Sequence, residues 1–261
     1  MTAAAPPAPP SAPVLGIPLA LTDYAGVVAW VDAMVAAGAA GSLTAAAVHL
    51  VMRAQEEPAV RRAVLDATLV VPDGQPLVWA LHALGHPQAT RVYGPDLMVA
   101  HCASAARRGT PIYLYGGRSE AALIELAVNL RTRFPGLAIA GAHSPPFREL
   151  SGAEEERVAA HIDASGARVV WVGIGQPRQE LWMARMRPRL SAPMLVAVGA
   201  AFDFHAGLVA QAPPWMGRHG LEWGYRLARE PRRLWRRYAR YNPRFVAAFA
   251  RQYAAARAGR K

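Results

Sequence analysis

The chain has 261 residues, 53% hydrophobic and 18% charged, with a formal net charge of +11 at pH 7. These values suit a folded protein with a sizeable core, one large α/β domain or one domain plus an appendage. A single cysteine, Cys102, excludes an intramolecular disulfide, and no segment reaches the ~20 apolar residues that a membrane span requires.

Residues 1–13 are rich in Pro and Ala and read as a disordered leader that lacks the positive start of a signal peptide. From residue 14 to 204 apolar runs alternate with helical patterns. Helices are expected over 24–37, 46–55, 58–66, 76–84, 95–107, 119–133, 152–165 and 179–189. Strands are expected between them, over 43–45, 68–71, 112–115, 137–141, 169–172 and 195–198. Such alternation predicts an α/β domain over 14–205, with a mostly parallel sheet and helices on both faces. Ser151 and Glu154 have the spacing of a capping box at a helix start.

Residues 206–214 form a turn-rich boundary, and 206–261 read as a helical appendage rich in Arg and aromatics. From Trp215 onward there are 13 basic residues and two acidic ones, Glu222 and Glu230, so the whole net charge lies there. A localised basic field attracts a polyanion: a membrane surface, a nucleic acid or a phosphorylated substrate. Leu234, Tyr238, Tyr241, Phe245 and Phe249 recur at helical spacing beside Arg233, Arg236, Arg237, Arg240 and Arg244. This composition is that of a helix lying in a membrane interface. Pro243 is expected to break or kink it. Arg240, Arg244 and Arg251 are expected to face lipid.

In open parallel sheets, ligands bind beyond the carboxyl ends of the strands. Small or polar residues follow several expected strands: Thr44, Asp73-Gly74, Gly116-Gly117, Gly173-Ile174-Gly175 and Gly199 to Asp203. Gly116-Gly117 and Gly173-Ile174-Gly175 suit either a phosphate near a helix N-terminus or a simple tight turn. Asp73 is either a turn or cap aspartate or a general base, and Asp203 either binds a ribose hydroxyl or supports the fold. His49 and His205 have no companions at metal-ligand spacing and read as structural. No Asp-x-Asp is present, so one familiar way of holding a divalent ion on a nucleotide diphosphate is missing.

Taken together and in order, these segments resemble the WecG/TagA/CpsF family of bacterial glycosyltransferases. The matching runs include Pro72-Asp73-Gly74, Arg91-Val92-Tyr93-Gly94-Pro95-Asp96, Tyr115-Gly116-Gly117, Val172 through Glu180, Gly199 through Phe204, and Gly220-Leu221-Glu222-Trp223. The resemblance implies a Rossmann-like fold whose C-terminal appendage closes the active site and touches the membrane. It implies inverting transfer of a sugar from a UDP-sugar to a polyprenyl-diphosphate-linked sugar, in exopolysaccharide or related cell-surface polysaccharide assembly. No metal or other cofactor is expected, and the location implied is peripheral, on the cytoplasmic face of the membrane. The family's general base matches Asp73; its substrate-site residues match Thr44, Arg91 and Gln179, and its appendage arginines match Arg226, Arg233 and Arg236, of which Arg226 and Arg233 are expected to face the active site. Gly116, Gly117, Gly173, Gly175 and Asp203 complete the expected substrate site. Ala46 stands where many members have Asn and Gln211 where many have Arg, which bears on donor or acceptor identity.

Other classes compete with this reading. The tail alone allows a non-catalytic membrane- or nucleic-acid-binding protein on the same fold, but the ordered strand-end motifs weigh against nucleic acid. The missing Gly-x-Gly-x-x-Gly fingerprint weighs against a dinucleotide-dependent oxidoreductase. Exposed apolar tail surface also offers a pairing face for a second copy.

Overall fold

In this computed structural model, residues 4–259 are described, without the side chains of Pro214, Arg218 and Arg233. An antiparallel hairpin, β1 (Ser11–Val14) and β2 (Ile17–Ala20), turns on Leu15 and Gly16, both at positive φ (50° and 74°). A two-residue turn of that handedness matches the natural twist of paired strands. The disorder expected over 1–13 does not extend to residues 11–13, and residues 1–3 lie outside the described residues. Residues 11–13 are strand because Ala12 and Val14 bury against the core.

The expected alternation follows: α1 (Tyr24–Ala37), β3 (Gly41–Ala46), α2 (Val48–Glu56), α3 (Pro58–Leu65), β4 (Leu69–Pro72), α4 (Gln75–Ala83) and α5 (Gly94–Arg108). Then come β5 (Ile112–Gly116), α6 (Glu120–Arg133), β6 (Ile139–His143), α7 (Gly152–Ala164), β7 (Val169–Gly173), α8 (Arg178–Met186), a 3-10 turn, β8 (Met194–Ala197) and α9 (Ala201–His205). Six strands pair in parallel in the order β4-β3-β8-β7-β5-β6. The chain is an α/β protein consistent with a Rossmann-like fold.

Successive strand residues point to opposite faces. Leu43, Leu69, Leu114, Trp171 and Val196 pack under α1, α5, α6 and α9, whereas Val70, Tyr113, Tyr115, Val172 and Leu195 face the other helices. The last strand to form an edge, β6, lies two residues later than expected. Leu137 is not in it: its N–H bonds Phe134 in the turn that ends α6, and its side chain is buried. The expected capping box is present, with Ser151 and Glu154 bonding each other's backbone.

Beyond α9 the tail forms α10 (Pro214–Arg218), α11 (Glu222–Arg229) and α12 (Pro231–Ala258). Pro243 does not break α12, which runs through it as one helix. Packing against α2 offsets the backbone bond that proline cannot donate. The aromatic stripe explains this. Leu234, Tyr241 and Phe245 are buried, the last two in one cluster with Val14, Leu50 and Val51. These side chains are core, not the lipid-facing surface that their spacing suggested.

Arg240 and Arg244 remain exposed, as expected of the outer face, but each pairs with Glu56 on α2, at 2.6 and 2.7 Å. Gln252 closes the arrangement, accepting from Leu15 N–H and donating to Pro13 carbonyl on the hairpin. The appendage is thus strapped across the face of the sheet domain that carries α2.

Candidate active site

Folding brings the carboxyl ends of β3, β4, β7 and β8, and the loop after β5, around one cavity of about 570 Å³. Ligand cavities commonly fall between about 300 and 1,000 Å³. Asp73 lies within it. The backbone N–H of Asp73 bonds Ala46 carbonyl, which extends the β3–β4 ladder by one residue and fixes where the side chain starts. One carboxylate oxygen accepts from Gly94 N–H at 3.2 Å. Desolvation pushes the carboxyl up to about 6, against the pull of the Arg91 guanidinium and with a contribution from Glu222. A carboxyl that ionises near neutral pH is suited to accept a proton during reaction.

Arg91 joins the two parts of the protein. Its Nε donates to the Asp73 carbonyl and its Nη2 to Glu222 on α11 at 2.6 Å, with the guanidinium 4.2 Å from the Tyr93 ring centroid. Arg226, also on α11, lines the cavity with Arg237 and Tyr238 of α12. The guanidinium of Arg226 lies over the Phe204 ring, and Trp223 meets Tyr238 edge-on. The tail therefore roofs the site.

On the opposite side the wall is made by Gly117, Arg118, Gly173, Gly175, Gln176 and Arg178. Gly116 is not part of it. A Cβ there would come within 2.5 Å of Gly173 carbonyl, and one at Gly173 within 2.6 Å of the Phe202 ring. Close approach of β5, β7 and α9 demands both glycines. Gly117 N–H bonds Gly173 carbonyl, and Ser119 caps the first turn of α6, so these groups are engaged within the protein. Gly175 (φ 82°) has open space around it on the cavity wall. Asp203 pairs with Arg118 at 2.9 Å at the rim.

Two residues expected to touch substrate lie beneath the floor instead. Thr44 donates to Glu180 Oε1 at 2.6 Å, and Gln179 donates to the same oxygen at 3.0 Å while accepting from Gly199 N–H. All three side chains are buried. This network ties the ends of β3 and β8 to the start of α8, with Gln176 bonding Ala45 carbonyl above it. Burial raises the Glu180 carboxyl to about 7, against hydrogen bonds from Thr44 and Gln179. Thr44 and Gln179 thus bond Glu180 and the Gly199 backbone beneath the cavity rather than lining it.

Arg236 does not line the cavity; it is exposed and stacks on Trp235, and Arg237 takes the inward position. The side chain of Arg233 lies outside the described residues. His49, read as structural from the sequence, lines the cavity, while His205 bonds Pro95 carbonyl. Arg118, Arg178, Glu222 and Arg237 are further members that sequence reasoning did not assign to the site. No group of three or more His, Cys, Asp or Glu side chains is placed to hold a metal ion among the described residues.

The model of one protein family, described as Glycosyl transferase WecG/TagA/CpsF family, matches residues 12–259. The match spans the hairpin, the sheet and the tail, so the cavity and its roof both lie within the family's common structure.

Proposed function

Because the chain belongs to the WecG/TagA/CpsF family of glycosyltransferases, we propose that this cavity transfers a sugar from a UDP-sugar to a polyprenyl-diphosphate-linked sugar, with inversion, in cell-surface polysaccharide assembly. The observation that carries the reading is a carboxyl poised near neutral pH in a strand-end cavity lined by Arg91, Arg118, Arg178, Arg226 and Arg237. An acceptor hydroxyl attacks the anomeric carbon as its proton passes to Asp73. The bond from that carbon to the β-phosphate oxygen breaks, and UDP leaves with the electron pair. Guanidiniums suit the diphosphate charge, since their planar fork matches phosphate oxygens. The Gly175 side of the cavity takes the nucleotide, and the tail side takes the lipid diphosphate.

With arginines meeting that charge, transfer is expected to proceed at an unchanged rate in EDTA. Loss of activity that Mn²⁺ restores would contradict this. The reading as a whole is tested by incubating the protein with UDP-sugars and a lipid-diphosphate-linked monosaccharide and assigning the product's anomeric configuration by NMR. A product of inverted configuration supports it, and a retained configuration rules out direct displacement.

The acceptor's lipid requires a membrane surface, although no described helix is long and apolar enough to cross one. We place the protein peripherally on the cytoplasmic face. Trp79 on α4 and Trp215, Leu221, Trp223 and Trp235 of the tail are each roughly half exposed. The turn before α11 touches the Trp79 ring, where a Cβ on Gly220 would come within 2.6 Å of it. Tryptophan beside arginine favours the interface between lipid and water. Trp79→Ala combined with Trp215→Ala is expected to weaken binding to anionic vesicles at least tenfold, measured by co-sedimentation. Unchanged binding would remove this surface from the membrane contact.

A further inference from the structure

The roofed side of the cavity includes the first turn of α2. Ala47, the N-cap of this nine-residue helix, has no side chain to cap the first turn, and Ala47, Val48 and His49 line the cavity. His49 Nε2 is buried and has no hydrogen-bond partner. Arg226 Nε is also buried without a partner. Arg226 and Arg237 lie close enough to His49 to act on its charge, together with Arg53 on its own helix. The acids lining the same cavity are Asp73, Glu222 and Asp203; the first two are engaged with Arg91 or Gly94, and Asp203 with Arg118.

A buried donor without a partner costs free energy unless a ligand supplies an acceptor. Two such groups at an open helix N-terminus, beside two guanidiniums, call for an anion with several oxygens. We propose that the first turn of α2, through His49, forms with Arg226 and Arg237 a binding site for the diphosphate group of a substrate. This rests on the sugar-transfer reading above and adds a residue and a helix to it.

Burial and the three arginines hold His49 well below the usual histidine range, so the imidazole is neutral. A neutral ring with its proton on Nε2 donates one hydrogen bond to a phosphate oxygen. A third cation there would oppose the two guanidiniums whenever the site is empty. The imidazole is thus a directional donor added to a site that already has its charge.

Farnesyl diphosphate and UDP supply the same diphosphate chemistry from the two possible sources. Each is titrated against wild type, His49→Leu and His49→Gln by calorimetry, with melting temperatures recorded. His49→Leu is expected to weaken farnesyl diphosphate at least tenfold, leave UDP within twofold and keep the melting temperature, while His49→Gln recovers much of the loss. Loss of UDP affinity alone, at an unchanged melting temperature, would keep the site and assign it to the donor. Unchanged affinity for both ligands overturns the proposal, as does loss of both together with a lowered melting temperature. Wild type that binds farnesyl diphosphate but no UDP would contradict the donor reading, and the His49 comparison would still decide this site.

Discussion

Asp73→Asn is expected to lower kcat by about 10²–10⁴-fold, the usual contribution of a positioned general base, while making the protein more stable at pH 7.5. Both effects come from the same desolvated position. The folded state raises the carboxyl from 3.8 to about 6, so folding favours the protonated form. That contribution is fully present below about pH 4 and is lost as pH rises through 6. Each unit of pKa is worth about 1.4 kcal/mol. Keeping Asp73 ionised in the fold at neutral pH therefore costs up to about 3 kcal/mol. Asparagine fills the same space without the charge. Melting temperatures of variant and wild type should converge near pH 4 and separate above pH 6. In wild type the acid limb of the rate profile should fall near pH 6. Near-normal turnover, or a lower melting temperature at pH 7.5, would contradict the assignment.

Arg91→Ala is expected to reduce activity more than about 100-fold and stability by about 3 kcal/mol. Arg91 and Glu222 are only 18% and 13% exposed, and removing the arginine leaves a carboxylate without its partner in a poorly hydrated place. Breaking a buried pair costs more than the pair itself contributes. The contact also fastens α11 to the strand end that carries Asp73, so its loss should expose the tail to protease. Arg91 is the main charge opposing the rise of the Asp73 pKa. Without it that value climbs further, and the residual activity should show its acid limb at higher pH. Adding Glu222→Ala should recover part of the stability, read by urea unfolding, and none of the activity. Unchanged stability in Arg91→Ala would show that the ion pair does not hold the tail.

Much of the sheet domain is legible in the sequence, because each strand carries its own apolar run and each helix its own period. Asp73 could be placed at a strand end for that reason. The hairpin was less visible: Pro13 and Pro18 sit in its strands, where the short pairing of an edge tolerates them, and the flanking prolines suggest disorder instead. Composition also misdirected the reading of α12. Arginine beside aromatics fits a membrane-interface helix, yet Tyr241 and Phe245 satisfy their apolar surface against α2. The phase of that helix contained the information needed. Leu234, Tyr241 and Phe245 mark the inward stripe, and Arg237 lies three residues from Leu234 and four from Tyr241. Arg236, one step round the helix, faces out. Thr44 and Gln179 show a different limit. Residue type marks them as polar groups at strand ends, but only three-dimensional structure shows Glu180 taking both their hydrogen bonds. His49 had no sequence companion at metal-ligand spacing, since Arg226 and Arg237 arrive beside it from α11 and α12, about 180 residues later in the chain.

The most direct test of sugar transfer in this cavity is a single assay. Labelled sugar from a panel of UDP-sugars is offered to a polyprenyl-diphosphate-linked monosaccharide in EDTA, with wild type and Asp73→Asn side by side. Transfer from at least one donor by wild type, at least 100-fold slower in the variant, is the predicted result. Equal transfer by both proteins would contradict it, since the carboxyl on which the proposed chemistry turns would then have no part in the reaction.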